Sequence, residues 1–186
     1  QVLGTGGQGA KTANIGYAAI DINATGAYFE NTLVENSTTV GVRLYLVDYT
    51  TTFKNLTIRN SGDPGQGAHE AGLAISSSFF APLFDTLEIT GSVGPGIHAS
   101  SGGSMTGSDW ILENNTGDGL FIDSSTIYTF GIDTAYNGQS GVHVYDSRYV
   151  VLGDVNSSFD GQLGLTNSEK AGIYFEKSSD IESNSG

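Results

Sequence analysis

Gly141-Val-His-Val-Tyr145 is a glycine followed by strict alternation of apolar and other side chains, and the same phrase returns along the chain. It reads Gly-Val-Arg-Leu-Tyr from Gly41, Gly-Leu-Ala-Ile-Ser from Gly72, Gly-Ile-His-Ala-Ser from Gly96, Gly-Leu-Phe-Ile-Asp from Gly119 and Gly-Ile-Tyr-Phe-Glu from Gly172. Successive glycines are 31, 24, 23, 22 and 31 residues apart. A period near 23 residues with two longer members marks stacked structural repeats.

Alternation with period two is the pattern of a half-buried strand. One position after the glycine stand Val42, Leu73, Ile97, Leu120, Val142 and Ile173; three after it stand Leu44, Ile75, Ala99, Ile122, Val144 and Phe175. No polar residue interrupts either column. A single short strand cannot bury such a face, but equivalent strands stacked about 4.8 Å apart merge their columns into one core. The chain reads as a solenoid of β-coils.

Composition agrees. The 186 residues suit one domain, and 27 glycines with many Ser, Thr and Asn predict frequent tight turns. Net charge is −13 with seven Lys and Arg, which argues against nucleic acid or an anionic membrane as partner. There is no cysteine, so neither a disulfide framework nor a thiolate metal site exists. No apolar run approaches the roughly 18 residues of a spanning helix. Sequons at Asn23, Asn36, Asn55, Asn114 and Asn156 are compatible with a glycosylated secreted protein.

Residues 1–15 are a Gly-rich lead-in or partial coil, and residues 16–186 form the β-helix domain. Phe29, Asn31 and Asn36 align with Phe53, Asn55 and Asn60 at an offset of 24, which places Ile20 and Ile22 inside. A second apolar group follows each phrase: Phe53, Leu56 and Ile58; Phe84, Leu87 and Ile89; Trp110 and Leu112; Phe130 and Ile132; Leu152 and Val155. These are expected to point into the same core. Asn60, Asn114, Asn137 and Asn156 are expected near the following turn, stacked and bonded to backbone. Two coils carry insertions, residues 61–71 and 160–171, and solenoid insertions cluster beside the binding face. The opening at Gln1 and the phrase begun at Gly172 before Gly186 lead us to expect the remainder of a longer chain, a homo-oligomer partner or end-to-end stacking.

From about Gly16 onward, the Gly-apolar-x-apolar phrase, the coil length and the turn asparagines resemble the pectate-lyase-like superfamily of right-handed parallel β-helices. That superfamily includes polysaccharide lyases, polygalacturonases, alginate epimerases and phage tailspikes. The resemblance implies an all-β, single-stranded right-handed parallel β-helix of about seven coils of 22–25 residues, two with longer loops and the last incomplete. It also implies a secreted, cell-surface or virion-surface location and a polysaccharide partner. The polygalacturonase signatures Asn-Thr-Asp, Gly-His-Gly and Arg-Ile-Lys are absent, so no catalytic residue carries over.

The alternate positions face solvent. Two after the glycine they are Arg43, Ala74, His98, Phe121, His143 and Tyr174; four after it they are Tyr45, Ser76, Ser100, Asp123, Tyr145 and Glu176. Saccharide recognition combines flat apolar surface with groups that fix hydroxyls, and Phe121, Tyr145 and Tyr174 beside His98, His143, Asp123 and Glu176 offer both. Asp123 and Glu176 share a column two rungs apart, about 9.6 Å at the strand spacing. Carboxyl pairs of inverting glycosidases stand roughly 6.5–9.5 Å apart, so these two are the expected hydrolytic pair. A lyase or epimerase would instead use His143 with Tyr145 or Tyr174 as the proton-transfer pair, and Arg43 to hold a carboxylate. No cofactor is required; Asp63, His69 and Glu70 could together hold a calcium ion, but the stretch reads as a solvated loop. The expectation is an extracellular polysaccharide-binding or polysaccharide-degrading protein, hydrolase before lyase. Two competing expectations remain. A His–aromatic ladder stabilises a sheet by about 0.2–1 kcal/mol per pair without any ligand. Aromatic surface also joins copies in a structural, adhesin or filament glycoprotein.

Overall fold

The computed structural model describes residues 2–3, 18–23, 26–62, 70–78, 80–147, 149–161, 171–177 and 181–184. In chain order the strands are β1 (Val2–Leu3), β2 (Ala18–Ile22), β3 (Tyr28–Glu35), β4 (Val40–Tyr45), β5 (Thr52–Arg59), β6 (Leu73–Ser76), β7 (Leu83–Thr90), β8 (Ile97–Ser100), β9 (Ser104–Glu113), β10 (Leu120–Asp123), β11 (Thr126–Ala135), β12 (Val142–Tyr145), β13 (Val150–Ser158), β14 (Ile173–Glu176) and β15 (Ile181–Asn184). Even-numbered strands form one parallel sheet and odd-numbered strands another, each pairing with its equivalents one coil before and after. No helix occurs among the described residues. The chain is an all-β parallel solenoid of about six turns built from two parallel sheets, as expected.

The repeated phrase supplies the even-numbered strands. Leu73 pairs with Val42 and Ile97, and Leu120 with Ile97 and Val142, so the predicted columns run in register. The glycines before these strands are there for space. Leu73 N donates to Gly96 O (2.9 Å), Ile97 N to Gly119 O (3.0 Å) and Leu120 N to Gly141 O (2.9 Å). A Cβ on Gly119 would lie 2.6 Å from Gly141 O and 2.9 Å from Asn137 Nδ2, well inside van der Waals contact.

The described coils turn at three recurring corners, each marked by a residue with left-handed backbone. Inside the odd-numbered strands the corner residues are Asn31, Asn55, Thr86, Asp109, Gly131 and Asp154, with φ of 31 to 101°. The pairing registers skip these residues, so every long strand is two straight segments meeting at a bend. A second column, the asparagine corner, is Asn36, Asn60, Gly91, Asn114, Tyr136 and Phe159; a third, the exit corner after the short strand, is Leu46, Ser77, Ser101, Ser124, Asp146 and Lys177. Left-handed backbone costs an L-residue roughly 1–2 kcal/mol. Stacking offsets it where the corner N–H is bonded by the next coil: Asn114 N donates to Ala135 O (3.0 Å) and Tyr136 N to Ser158 O (3.2 Å).

The interior is layered along the axis. Phe29 stacks on Phe53 (4.9 Å between centroids) and Phe53 on Phe84 (5.0 Å), with rings nearly parallel. Trp110 ends the stack edge-on, its Nε1 donating to Phe84 O at 3.3 Å. Gly107 makes room for that indole, since a Cβ there would sit 2.7 Å from Trp110 Nε1 and closer still to the Phe84 carbonyl. Toward the later coils the interior becomes polar beside the asparagine corner. Asn115 N donates to Asn137 Oδ1 (3.1 Å), and Asn137 Nδ2 donates to Leu112 O (2.8 Å) and Asp160 Oδ1 (2.9 Å). Thr134 and Ser157 hydroxyls both donate to Asp160 Oδ2 at 2.7 Å, so the carboxylate is satisfied on both oxygens.

Two expectations are corrected. Phe130 is 62% exposed, and Thr129, fully buried, takes the inward position. The cause is the corner at Gly131, which inserts one residue and reverses the alternation between Phe130 and Ile132. Asn156 lies within β13, paired with Asp133 and exposed, rather than at a turn. Asn60 and Asn114 are corner residues, as expected, while Asn137 is buried in the polar ladder.

Space and backbone handedness can be separated by substitution. Gly107→Ala is expected to cost about 3 kcal/mol through overpacking. Gly102→Ala, where φ is +79° and no atom lies within 4 Å, should cost only the left-handed penalty of about 1–2 kcal/mol. Chemical denaturation of both variants ranks the two terms. Thr86→Asn, replacing a β-branched residue at φ +61°, should raise stability by about 0.5–1 kcal/mol in the same assay.

Candidate functional site

The outward face of the even-numbered strands carries the residues singled out by sequence, in the register expected. Phe121 pairs with His98 and His143, and His143 with Tyr174. Their rings follow one another along the solenoid axis: His98 stacks on Phe121 at 5.0 Å, while Phe121–His143 at 4.8 Å and His143–Tyr174 at 4.9 Å are tilted by 32° and 44°. Further along the same column, Arg43 makes a two-pronged ion pair with Asp21, its Nε donating to Oδ1 at 3.1 Å. The guanidinium reserved for a ligand carboxylate already holds one from its own chain.

The second outward column runs Asp123, Tyr145, Glu176. The two acids are two rungs apart, as expected, and Tyr145 occupies the rung between them. Ser124 Oγ donates to Asp123 Oδ1 (2.9 Å), Tyr174 Oη to Glu176 Oε2 (3.4 Å), and Lys177 Nζ to Tyr145 Oη (2.9 Å). Lys177 is held above its ordinary pKa, first by that hydrogen bond and the charge of Tyr145, then by the nearby charges of Glu176 and Asp146. The ammonium form is therefore the one present around neutral pH.

Sequence reasoning missed Asp118. This carboxylate is buried beneath the face, accepts Ser140 N at Oδ1 (2.8 Å) and lies 3.4 Å from His143 Nδ1 at Oδ2. A carboxylate partner fixes the Nδ1–H form of the imidazole. His143 Nε2 is enclosed and makes no hydrogen bond to the described residues. The signal was available: Asp118 immediately precedes the phrase glycine Gly119, where a residue is tucked under the following coil.

A shallow cleft of about 420 Å³ opens beside this column, at the exit corner, lined by Ser124, Ser125, Thr126, Asp146 and Tyr149. None of the sequence-predicted site residues lines it. Of the two insertions expected to flank the groove, residues 63–69 and 162–170 lie outside the described ones, and with them Asp63 and His69. Among the described residues no three His, Asp or Glu side chains converge as metal ligands, and no helix is long and apolar enough to cross a membrane. The five sequon asparagines are exposed, three of them (Asn36, Asn55 and Asn114) at corners. Asn55 Nδ2 is already engaged, donating to Asn31 Oδ1 at 2.9 Å.

No protein-family model matches the chain, and no curated protein or solved structure is significantly similar to it. Parallel β-solenoid is the class the fold defines, and the narrower pectate-lyase-like assignment has no relative behind it.

The buried and exposed acids of this face should respond differently to mutation. Asp118→Ala removes the acceptor for Ser140 N and the partner of His143 Nδ1, and is expected to cost about 2–3 kcal/mol. Asp123→Asn keeps the Ser124 contact and should stay within about 0.5 kcal/mol of the parent. Thermal or urea unfolding reads both, and equal losses would remove Asp118 from its supporting role.

Proposed function

We propose that the protein binds polysaccharide outside the cell, secreted or on a cell or virion surface, with the outward face of the even-numbered strands as the recognition surface. The observation that supports this reading is the four-rung row His98, Phe121, His143, Tyr174 beside Asp123, Tyr145 and Glu176, a half-buried mix of rings, hydroxyls and carboxylates where a neutral solvated sheet would carry Ser, Thr and Lys. Binding is favoured over cleavage for two reasons. Tyr145 stands in the rung where a hydrolytic water between Asp123 and Glu176 would have to sit, and His143 Nε2 is enclosed rather than presented to a substrate. Hydrolysis through the carboxylate pair is the enzymatic version, with elimination through His143 and Tyr145 behind it.

A non-enzymatic structural role is the second reading. Its support is that the rings of the row pack on one another along the axis, engaged within the chain.

Incubation with a panel of neutral, uronic and bacterial capsular polysaccharides tests the first reading. Retardation in affinity gels with no change in product mass is the expected result. Products heavier by water would move the assignment to hydrolysis, and unsaturated ends to elimination. Silence across the panel from folded protein, with polymers visible by electron microscopy, would replace the glycan reading with the structural one.

A further inference from the structure

Resting on the extracellular location proposed above, and not on the saccharide ligand, we propose that Asn114 carries an N-linked glycan whose first N-acetylglucosamine packs on the exposed ring of Tyr136, one coil further on.

The asparagine corner brings the two side chains together. Its column runs Asn36, Asn60, Gly91, Asn114, Tyr136, Phe159, one residue per coil, each with left-handed backbone. Asn114 N donates to Ala135 O (3.0 Å) and Tyr136 N to Ser158 O (3.2 Å), so neighbouring corners are tied at rung spacing. Phe159 stacks on Tyr136 at 5.1 Å with the rings 3° from parallel. The stack runs along the column, so the other face of Tyr136 is turned toward the coil of Asn114. Tyr136 is 53% exposed, and no second ring lies against it among the described residues. A Tyr ring reaches further from the backbone than an Asn amide, so a sugar continuing from Asn114 Nδ2 runs out alongside that face. The ring supplies the flat apolar surface that a sugar's C–H face needs.

The local sequence supplies the acceptor. Asn114-Asn115-Thr116 is a sequon whose outer residues, Asn114 and Thr116, are exposed, while Asn115 is tucked into the polar ladder. The Asn114 carboxamide makes no hydrogen bond to the described residues, and Thr116 is held through its backbone, N donating to Ser92 O at 2.9 Å. In the transfer, Asn114 Nδ2 attacks C1 of the terminal N-acetylglucosamine of a polyprenyl-diphosphate oligosaccharide. The C1–O bond to the diphosphate breaks, the lipid diphosphate leaves, and the amide gives up one proton.

The other sequons each lack a part of this arrangement. Asn55 Nδ2 is spent on Asn31 Oδ1 (2.9 Å). Asn36 Oδ1 accepts from Asn60 Nδ2 (3.4 Å), and its neighbour in the column is that amide rather than a ring. Asn156 lies inside β13 beside Asp133. Thr25, the hydroxyl residue for Asn23, lies outside the described residues.

The test reads occupancy and packing separately. Chain from the native source and the full chain secreted from a eukaryotic host are treated with a glycan-releasing amidase in heavy-oxygen water, which marks each occupied Asn as labelled Asp in the peptide masses. Label at Asn114 is expected, lost in Thr116→Ala and kept in Thr116→Ser. Trimmed to a single N-acetylglucosamine, the secreted chain should melt about 2–4 °C above the same chain made in a host without N-glycosylation, the shift of one modest contact at this size. Tyr136→Ala should erase that difference and Tyr136→Phe should keep it. Bare Asn114 in secreted chain from either source overturns the modification. An occupied Asn114 whose sugar shifts melting equally in the parent and in Tyr136→Ala, or in neither, overturns the packing on Tyr136. Native chain found only in the cytoplasm overturns the location and the modification with it, whereas silence in the saccharide panel overturns neither.

Discussion

The structure depends on one constraint: every coil must lie flat on the next at strand spacing, so that backbone groups left over at each corner are bonded by the coil beside it. The column of phrase glycines shows this constraint repeated from coil to coil. The carbonyl of one glycine accepts from the strand of the neighbouring coil, and a Cβ at Gly72, Gly96 or Gly119 would press on the carbonyl oxygen of the next glycine in the column. Corners obey the same rule by another route. Leu46, Thr86, Tyr136 and Phe159 adopt a left-handed backbone that their side chains disfavour, because register with the coils on either side leaves no other path. Tertiary stacking overrides local preference at these positions.

How much of this was legible follows from that constraint. The phrase columns could be read because burial on one face of a straight strand leaves a period-two trace, and the asparagine columns because Asn tolerates the left-handed corner. Phe130 was misread because the mid-strand corner shifts parity. The clue was spacing: Phe53 to Leu56, Phe84 to Leu87 and Leu152 to Val155 are three apart with a corner residue between, whereas Phe130 to Ile132 is two. Counting back three from Ile132 lands on Thr129, which is the buried residue. Corner residues such as Tyr136 and Lys177 could not be read locally, since nothing in their own chemistry asks for that conformation. Asp118 was missed for a related reason, its meaning residing in a residue 25 positions away on the next coil.

Stacking also explains why the conspicuous face is internally satisfied. Identical strand positions stacked at rung spacing force side chains into contact with their own equivalents, so a column of rings becomes a ladder and a column of mixed charge becomes ion pairs, as in Arg43 with Asp21. The face presents ring edges, hydroxyls and carboxylates that are partly spent on one another. Alternation placed these side chains on the outward face in the register observed, but not their engagement with each other, because it says which way a side chain points and nothing of what it meets there.

Corners escape this rule. A strand must keep its register to pair, but a corner can gain or lose residues while the ladder on either side stays intact: from Tyr45 to Thr52, Ser76 to Leu83, Ser100 to Thr106, Asp123 to Tyr128 and Tyr145 to Val151, positions in register along the coils, the corner holds six, six, five, four and five residues. A corner ring such as Tyr149, at 60% exposed, stays clear of the stacking that covers one face of Phe121. In a solenoid the strands therefore determine how many coils there are and where they sit, while shape complementary to a ligand has to be written in the turns.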